Sequence, residues 1–298
     1  MKRCELLIVG AGVAGMAAAV AAWDSGCRNL VLADRADRSG GILPQCIHEG
    51  FGLSAFGAEL TGPDYADRWA AALKRTGVQL LLNTEVLSVT ETKTAILSSR
   101  EGLGELGFER LILATGCRER AVGSLPIAGT RPAGIFTAGQ AQALINLRHQ
   151  SLGRNILILG SGDLGMIMAR RFTLEGKRVI AVVEQNDHYG GMARNHHRCI
   201  EQYHIPMLYR STVSEIHGVG RICGVTLTQL DSGRREYISC DTLITAVGLI
   251  PERELARGLG DPDWLYLAGN CHRIHQVADS AAAEAEAIGK RIMQEGQR

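Results

Sequence analysis

Closely spaced cysteines are missing from this chain. Its eight (Cys4, Cys27, Cys46, Cys117, Cys199, Cys223, Cys240 and Cys271) are scattered, with Cys223 and Cys240 the nearest two. That excludes a C-x-x-C dithiol, a zinc ribbon and an iron–sulfur run. Isolated thiols suit a reducing cytoplasm, where they pack as small hydrophobes. An excess of either charge is missing too. The 32 basic and 31 acidic residues leave a formal charge of +1, which offers no footprint to nucleic acid or an anionic membrane. Lys2 and Arg3 before the uncharged run 6–23 imitate a signal peptide. Glycines at 10, 12 and 15, with the strand-like "NLVLAD" just after, make the run folded structure instead. Past it no transmembrane segment is expected.

Glycine is abundant. There are 36 in 298 residues, 46% of which are hydrophobic and 21% charged. That composition predicts a soluble globular protein with many tight turns, long enough for two domains. The glycines are also ordered. "LLIVGAGVAG" (6–15) and "ILILGSGDLG" (156–165) each run an apolar stretch into G-x-G-x-x-G. At one constant offset Gly10, Gly12 and Gly15 become Gly160, Gly162 and Gly165. Asp34 becomes Glu184, and Gly40-Gly41 becomes Gly190-Gly191.

Residues 5–9 predict a buried parallel strand, 13–22 an Ala-rich helix and 30–33 the next strand. The first glycine of such a turn permits the bend, the second lets a pyrophosphate approach the backbone, and the third allows helix and strand to close up. Val13 and Ala14, or Asp163 and Leu164, open the helix whose N–H groups and dipole hold phosphates. The acid that ends the second strand accepts hydrogen bonds from a ribose diol. Two complete units of this kind predict two dinucleotide sites. Glu184 repels a 2′-phosphate and accepts a 2′-hydroxyl, so the second site favours NAD(H) over NADP(H). Arg194 and Arg198 lie just downstream and could still reach a phosphate.

Later motifs complete a pattern. "RLILATG" (110–116) has its partner in "TLITAVG" (242–248), and "LYLAGN" (265–270) precedes a helix from about 277. This succession resembles the two-dinucleotide-binding-domain flavoproteins, the superfamily of thioredoxin reductase and the pyridine nucleotide-disulfide oxidoreductases. The resemblance implies an α/β fold of two Rossmann-like three-layer domains. FAD would sit on a discontinuous domain, 1–119 with 248–298, and a nicotinamide nucleotide on an inserted domain, 120–247. By position, Gly10, Gly12, Gly15 and Asp34 hold the ADP half of FAD, Arg35 and Gly41 line it, and Val86 meets adenine. Gly116 closes the sheet edge, Gly269 and Asn270 meet the ribityl chain, and Gln276 and Val277 begin the helix aimed at the flavin pyrimidine. Gly160, Gly162, Glu184 and Gly248 serve the nicotinamide nucleotide. A homodimer through the FAD domain is the family's habit.

Departures from the family narrow the chemistry. "GGILPQCIHEGFG" carries Cys46 alone, and "GIFTAGQAQALIN" (134–146) has no cysteine, so a dithiol relay is not expected. "GGILPQCIHEGFGL" and "LTGPDYADR" (60–68) resemble a disulfide-free branch. It includes flavoprotein subunits of opine, amino-acid and cyanide-forming dehydrogenases, and oxidoreductases associated with glycerol-3-phosphate dehydrogenase. Longer members append a cysteine-rich tail for an iron–sulfur centre. The chain stops at Arg298 without one, which predicts no internal relay of that kind.

Cys46 and His48 are the candidate catalytic residues: a thiolate tuning the flavin and a proton donor. The alternatives are a packing thiol and a core or surface imidazole. His272 and His275 flank the flavin-facing turn, as a pyrimidine contact or as a cap. "RNHHRC" (194–199) reads as a solvated loop rimming the nucleotide site. Its adjacent histidines cannot share a ligand face and no acid partner stands at helical spacing, so no metal is expected. The leading functional expectation is a cytoplasmic enzyme passing hydride from NADH to FAD and on to a small molecule or partner. The second is a subunit of a heteromeric amino-acid, opine or glycerol-3-phosphate dehydrogenase. The third is a non-catalytic adenine-nucleotide-binding subunit.

Overall fold

A computed structural model of the chain describes residues 2–295. It divides into two compact units, Met1–Arg118 with Pro251–Arg298, and Glu119–Ile250. Gly248 therefore belongs to the second unit.

The first unit is built on a seven-stranded sheet. Its order is Gln79–Leu81, Leu30–Ala33, Lys2–Val9, Gly102–Leu113, Thr94–Ser99 and Glu85–Val89, with Leu265–Leu267 also paired to Gly102–Leu113. The Lys2–Val9 strand lies parallel to both neighbours, Leu6 opposite Leu30 on one side and Arg110 on the other. Its apolar run is buried on both faces, as a central parallel strand requires. The strand starts at Lys2 rather than at residue 5, because Lys2–Cys4 pair with Leu106–Phe108. Nothing in those polar residues signals that partner.

Helices Val13–Asp24, Gly62–Lys74 and Ala278–Glu295 bury their apolar residues in one core cluster with this sheet. The first and last approach closely because their contact faces are small. Ala18, Ala19, Ala22, Ala282 and Ala285 are buried there, and a Cβ on Gly289 would stand 2.5 Å from the Ala18 carbonyl oxygen. The Thr61 hydroxyl caps the Gly62–Lys74 helix by accepting from Asp64 N.

In the second unit five parallel strands run in the order Ile135–Thr137, Thr242–Thr245, Asn155–Leu159, Arg178–Val183 and Met207–Leu208. A four-stranded sheet of Ala128–Gly129, Ser211–Gly218, Ile222–Gln229 and Arg235–Ser239 adds to it. Helices Ala138–Asn146 and Asp163–Leu174 pack on the parallel sheet, the former closed by a Thr137/Gln140 capping box.

"RNHHRC" is a correction. It lies in helix Ala193–Cys199, not in a loop, with Asn195 and Cys199 buried. An acid does stand at helical spacing: Glu201 accepts from both His196 (3.1 Å) and His197 (2.8 Å). Among the described residues no helix is long and apolar enough to cross a membrane.

Candidate dinucleotide sites

The three glycines of the first turn answer to different neighbours. Gly10 bends the chain at φ +104°, and a Cβ on Gly15 would fall 1.7 Å from Gly10 O. Both are demanded by the fold itself. Gly12 is not, for its nearest neighbour would be Gly41 Cα at 3.9 Å. A side chain has room there in the protein alone, so the open space serves what approaches from outside. Gly12 is the N-cap of the Val13–Asp24 helix and has extended backbone geometry, leaving the first N–H groups of Val13 and Ala14 at the opening. Gly41 adjoins Gly12, and Gly269, at φ +65°, lies against Ala14. The expected residues Gly10, Gly12, Val13, Ala14, Gly15, Gly41 and Gly269 thus converge on one helix tip.

Beside that tip lies a cleft of about 350 Å³ lined by Gly10, Asp34, Arg35 and Val86, with Thr84, Thr115, Glu252 and Glu254. Asp34 accepts from Ala11 N (2.5 Å) and Ala36 N (2.8 Å). A carboxylate offers about four lone-pair positions, so two remain for a sugar. Arg35 is exposed, 3.9 Å from Glu85. Gly116 has φ +74° with open space around it.

The turn after Gly269 is held from several sides. Glu284, in the terminal helix, accepts from Gly269 N, His272 Nδ1, Arg273 Nε and His275 Nε2, each at 3.0 Å. Burial tends to raise the Glu284 carboxyl, but the bonds from His272, His275 and Gly269 hold it below the ordinary carboxylate range. Both histidines therefore cap this carboxylate. Asn270 Oδ1 accepts from His275 N (2.9 Å), and its Nδ2 donates to Cys117 Sγ (3.6 Å). Gln276 and Val277 immediately precede the terminal helix. Asp279 in its first turn accepts from Gly52 N (3.0 Å) and Ser54 N (2.9 Å).

Cys46 is buried, its thiol 3.5 Å from Ile42 O, and burial pushes it up to about 12. Such a thiol stays protonated at neutral pH, which favours packing over nucleophilic use. His48 Nδ1 lies 3.1 Å from Glu49 O and its ring tilts against Phe51 at 5.1 Å. Among the described residues none of the eight cysteines forms a disulfide.

The second turn repeats the division of labour. A Cβ on Gly160 would meet Ala246 O at 2.3 Å and one on Gly165 would meet Gly160 O at 2.3 Å, whereas Gly162 has nothing within 4 Å. Gly160, Gly162 and Glu184 line a cavity of about 600 Å³ with Arg120, Ser161, Asn186, Thr212 and Ser214. Burial works to raise the Glu184 carboxyl. Bonds from Ser161 and Asn186 outweigh it and leave the group below its ordinary range. The Asp163 carboxylate accepts from Met192 N (2.8 Å) and Asn195 Nδ2 (2.7 Å), tying the loop after Gly191 to the helix start. Leu164 follows it in the first turn. Gly248, at φ +113°, gives its carbonyl to Arg120 N (3.0 Å).

Each unit therefore pairs an uncapped helix tip, a backbone position with room for a close approach, and an acid at the rim of a cavity of ligand size. Residues 4–262 match the model of the pyridine nucleotide-disulphide oxidoreductases. The chain belongs to this family.

Membership makes it an FAD-dependent NAD(P)H oxidoreductase, and both sites have the donors and open space those cofactors need. The chain is 29% identical to hydrogen cyanide synthase subunit HcnB of Pseudomonas aeruginosa, over 96% of its own length and 69% of that protein's. It is 28% identical to sarcosine oxidase subunit alpha of Rhizobium meliloti, over 94% of its length but 28% of that protein's. The T. acidophilum thioredoxin reductase structure covers 100% of both chains with a TM-score of 0.80 at 20% identity, a likeness of fold.

Ser161, Asn186, Asp279 and Glu284 escaped the sequence reading. Ser161 carried a signal, being the polar middle residue of G-S-G where the first turn has Ala11. The other three act through partners distant in sequence or in an irregular loop.

Proposed function

We propose that this chain takes hydride from NADH onto FAD and passes the electrons to a small-molecule or protein acceptor without a redox disulfide. The observation that carries this reading is the spare room at Gly12 and Gly162. Each lies at a helix tip, where the fold tolerates a side chain but a bound diphosphate would not. FAD, when bound, supplies the two-electron chemistry. The residues of the chain bind and orient.

In this reading the first unit is the FAD domain. Gly10, Gly12, Val13, Ala14 and Gly15 hold its diphosphate, Asp34 its adenosine ribose, and Arg35 and Val86 the adenine side. Gly41 lines the cofactor beside Gly12, Gly116 closes the sheet edge, and Gly269, Asn270, Gln276 and Val277 take the flavin half. The second unit takes the nicotinamide nucleotide on Gly160, Gly162, Asp163, Leu164, Gly165 and Gly248. The negative charge of Glu184 selects NADH over NADPH. Cys46 packs, and His48 is the residue left to exchange a proton with an acceptor. Its scattered single cysteines suit the cytoplasm.

Anaerobic titration of the flavin-loaded chain with NADH tests this directly. Loss of the oxidised flavin band supports the proposal, and an unchanged spectrum at saturating NADH overturns it.

A second reading draws on the relatives. HcnB and sarcosine oxidase alpha are named as subunits, and the chain spans only part of each. On that basis it is the flavin subunit of a heteromeric dehydrogenase whose organic substrate is oxidised on a partner chain. Purification with its native neighbours distinguishes the two. A second flavoprotein that co-purifies and is required for activity favours the subunit reading.

A further inference from the structure

The two acids of the repeat are not equally available. At Asp34 two backbone N–H groups occupy the carboxylate. At Glu184 the chain supplies four donors. Ser161 N (3.1 Å) and Ser161 Oγ (2.5 Å) reach Oε2, and Asn186 N (2.9 Å) and Asn186 Nδ2 (2.8 Å) reach Oε1. Four donors fill the roughly four lone-pair positions a carboxylate has. A ribose arriving at Glu184 must displace one of them.

Three of the four cannot leave cheaply. Two are backbone N–H groups fixed by the turn and the strand end. The third is the hydroxyl of a fully buried serine, which also accepts from Gly190 N at 2.9 Å. Asn186 Nδ2 is different. Its side chain is exposed, stands on the rim of the 600 Å³ cavity, and swings out by rotation about its own bonds.

We propose that the Asn186 amide occupies the place of a ribose hydroxyl on Glu184 and is exchanged for it when the nicotinamide nucleotide binds. Asn186 is then a built-in competitor that sets affinity, while the charge of Glu184 sets the choice between NADH and NADPH. This rests on the reading of the second cavity as the NADH site. Binding trades one charge-assisted bond for another, so the ribose gains little from reaching the acid. Removing the amide leaves that position to water, which yields more readily.

The test is anaerobic calorimetric titration of the full, FAD-loaded chain, its flavin reduced beforehand with dithionite, with NADH, NADPH and ADP-ribose. The parent, Asn186→Ala, Asn186→Val and Glu184→Gln are compared. Asn186→Ala is expected to bind NADH and ADP-ribose about threefold to tenfold more tightly. Its NADPH-to-NADH affinity ratio should match the parent's. Asn186→Val, whose side chain has no donor for Oε1, is expected to follow it, and Glu184→Gln is expected to narrow the ratio. Flavin content equal to the parent's and a cooperative thermal transition establish that the variants are folded. Equal or weaker NADH binding by both Asn186 variants overturns the inference and leaves the NADH site standing. A parent chain that binds neither NADH nor ADP-ribose overturns that site and the inference with it.

Discussion

At the scale of single residues, glycines in the same motif have different duties, and substitution separates them. Gly15→Ala sets a methyl group 1.7 Å from Gly10 O, so it is expected to misfold or lose several kcal/mol. Gly12→Ala meets only Gly41 Cα at 3.9 Å. It should fold with the circular dichroism and thermal midpoint of the flavin-stripped parent, yet be isolated without yellow colour. A coloured Gly12→Ala chain would remove the argument for a diphosphate at that tip. Cys46 gives a second residue-scale expectation. Held near 12 by burial, its thiol should resist alkylation at pH 8 in the folded chain while exposed Cys223 reacts, and both should react in denaturant. Peptide mass spectrometry reads this. Glycines and acids were legible in the sequence because steric and charge requirements attach to residue type. Asn186 was not, because its role depends on which way an exposed side chain turns.

At the scale of elements, the terminal helix Ala278–Glu295 does more than present its N-terminus. Asp279 fixes the 52–54 segment, and Glu284 gathers the 269–275 turn. Asp279→Ala removes the acceptor of two backbone N–H groups. It is expected to cost about 1–3 kcal/mol, seen as a lower thermal midpoint. Glu184 and Glu284 both titrate below their ordinary 4.5 in the folded chain. Below that value the unfolded chain takes up protons first. The stability these groups contribute is therefore present above 4.5 and lost as pH falls through the lowered native values. Thermal midpoints measured from pH 6 downward should show this loss, and Glu284→Gln should flatten part of it. The helix itself was readable from the "LYLAGN" motif (265–270) that precedes it. The "RNHHRC" helix was not, since its stability comes from buried Asn195 bonded to Asp163 and from Glu201 beyond its end.

At the scale of the whole molecule, a duplicated strand–turn–helix device accounts for the α/β architecture and for two cofactors in one chain. The repeat was legible because both copies keep the glycines and the acid at one offset. The antiparallel strands Glu85–Val89 and Thr94–Ser99 were not, because their pairing is decided by the long Gly102–Leu113 strand they join. The claim on which everything else depends is that the second tip holds NADH and delivers its hydride to FAD. The most direct measurement is the visible spectrum of Gly162→Ala before and after anaerobic NADH. The expected result is a yellow protein whose flavin band survives NADH at a concentration that bleaches the parent. Bleaching of Gly162→Ala at that same concentration would contradict the claim.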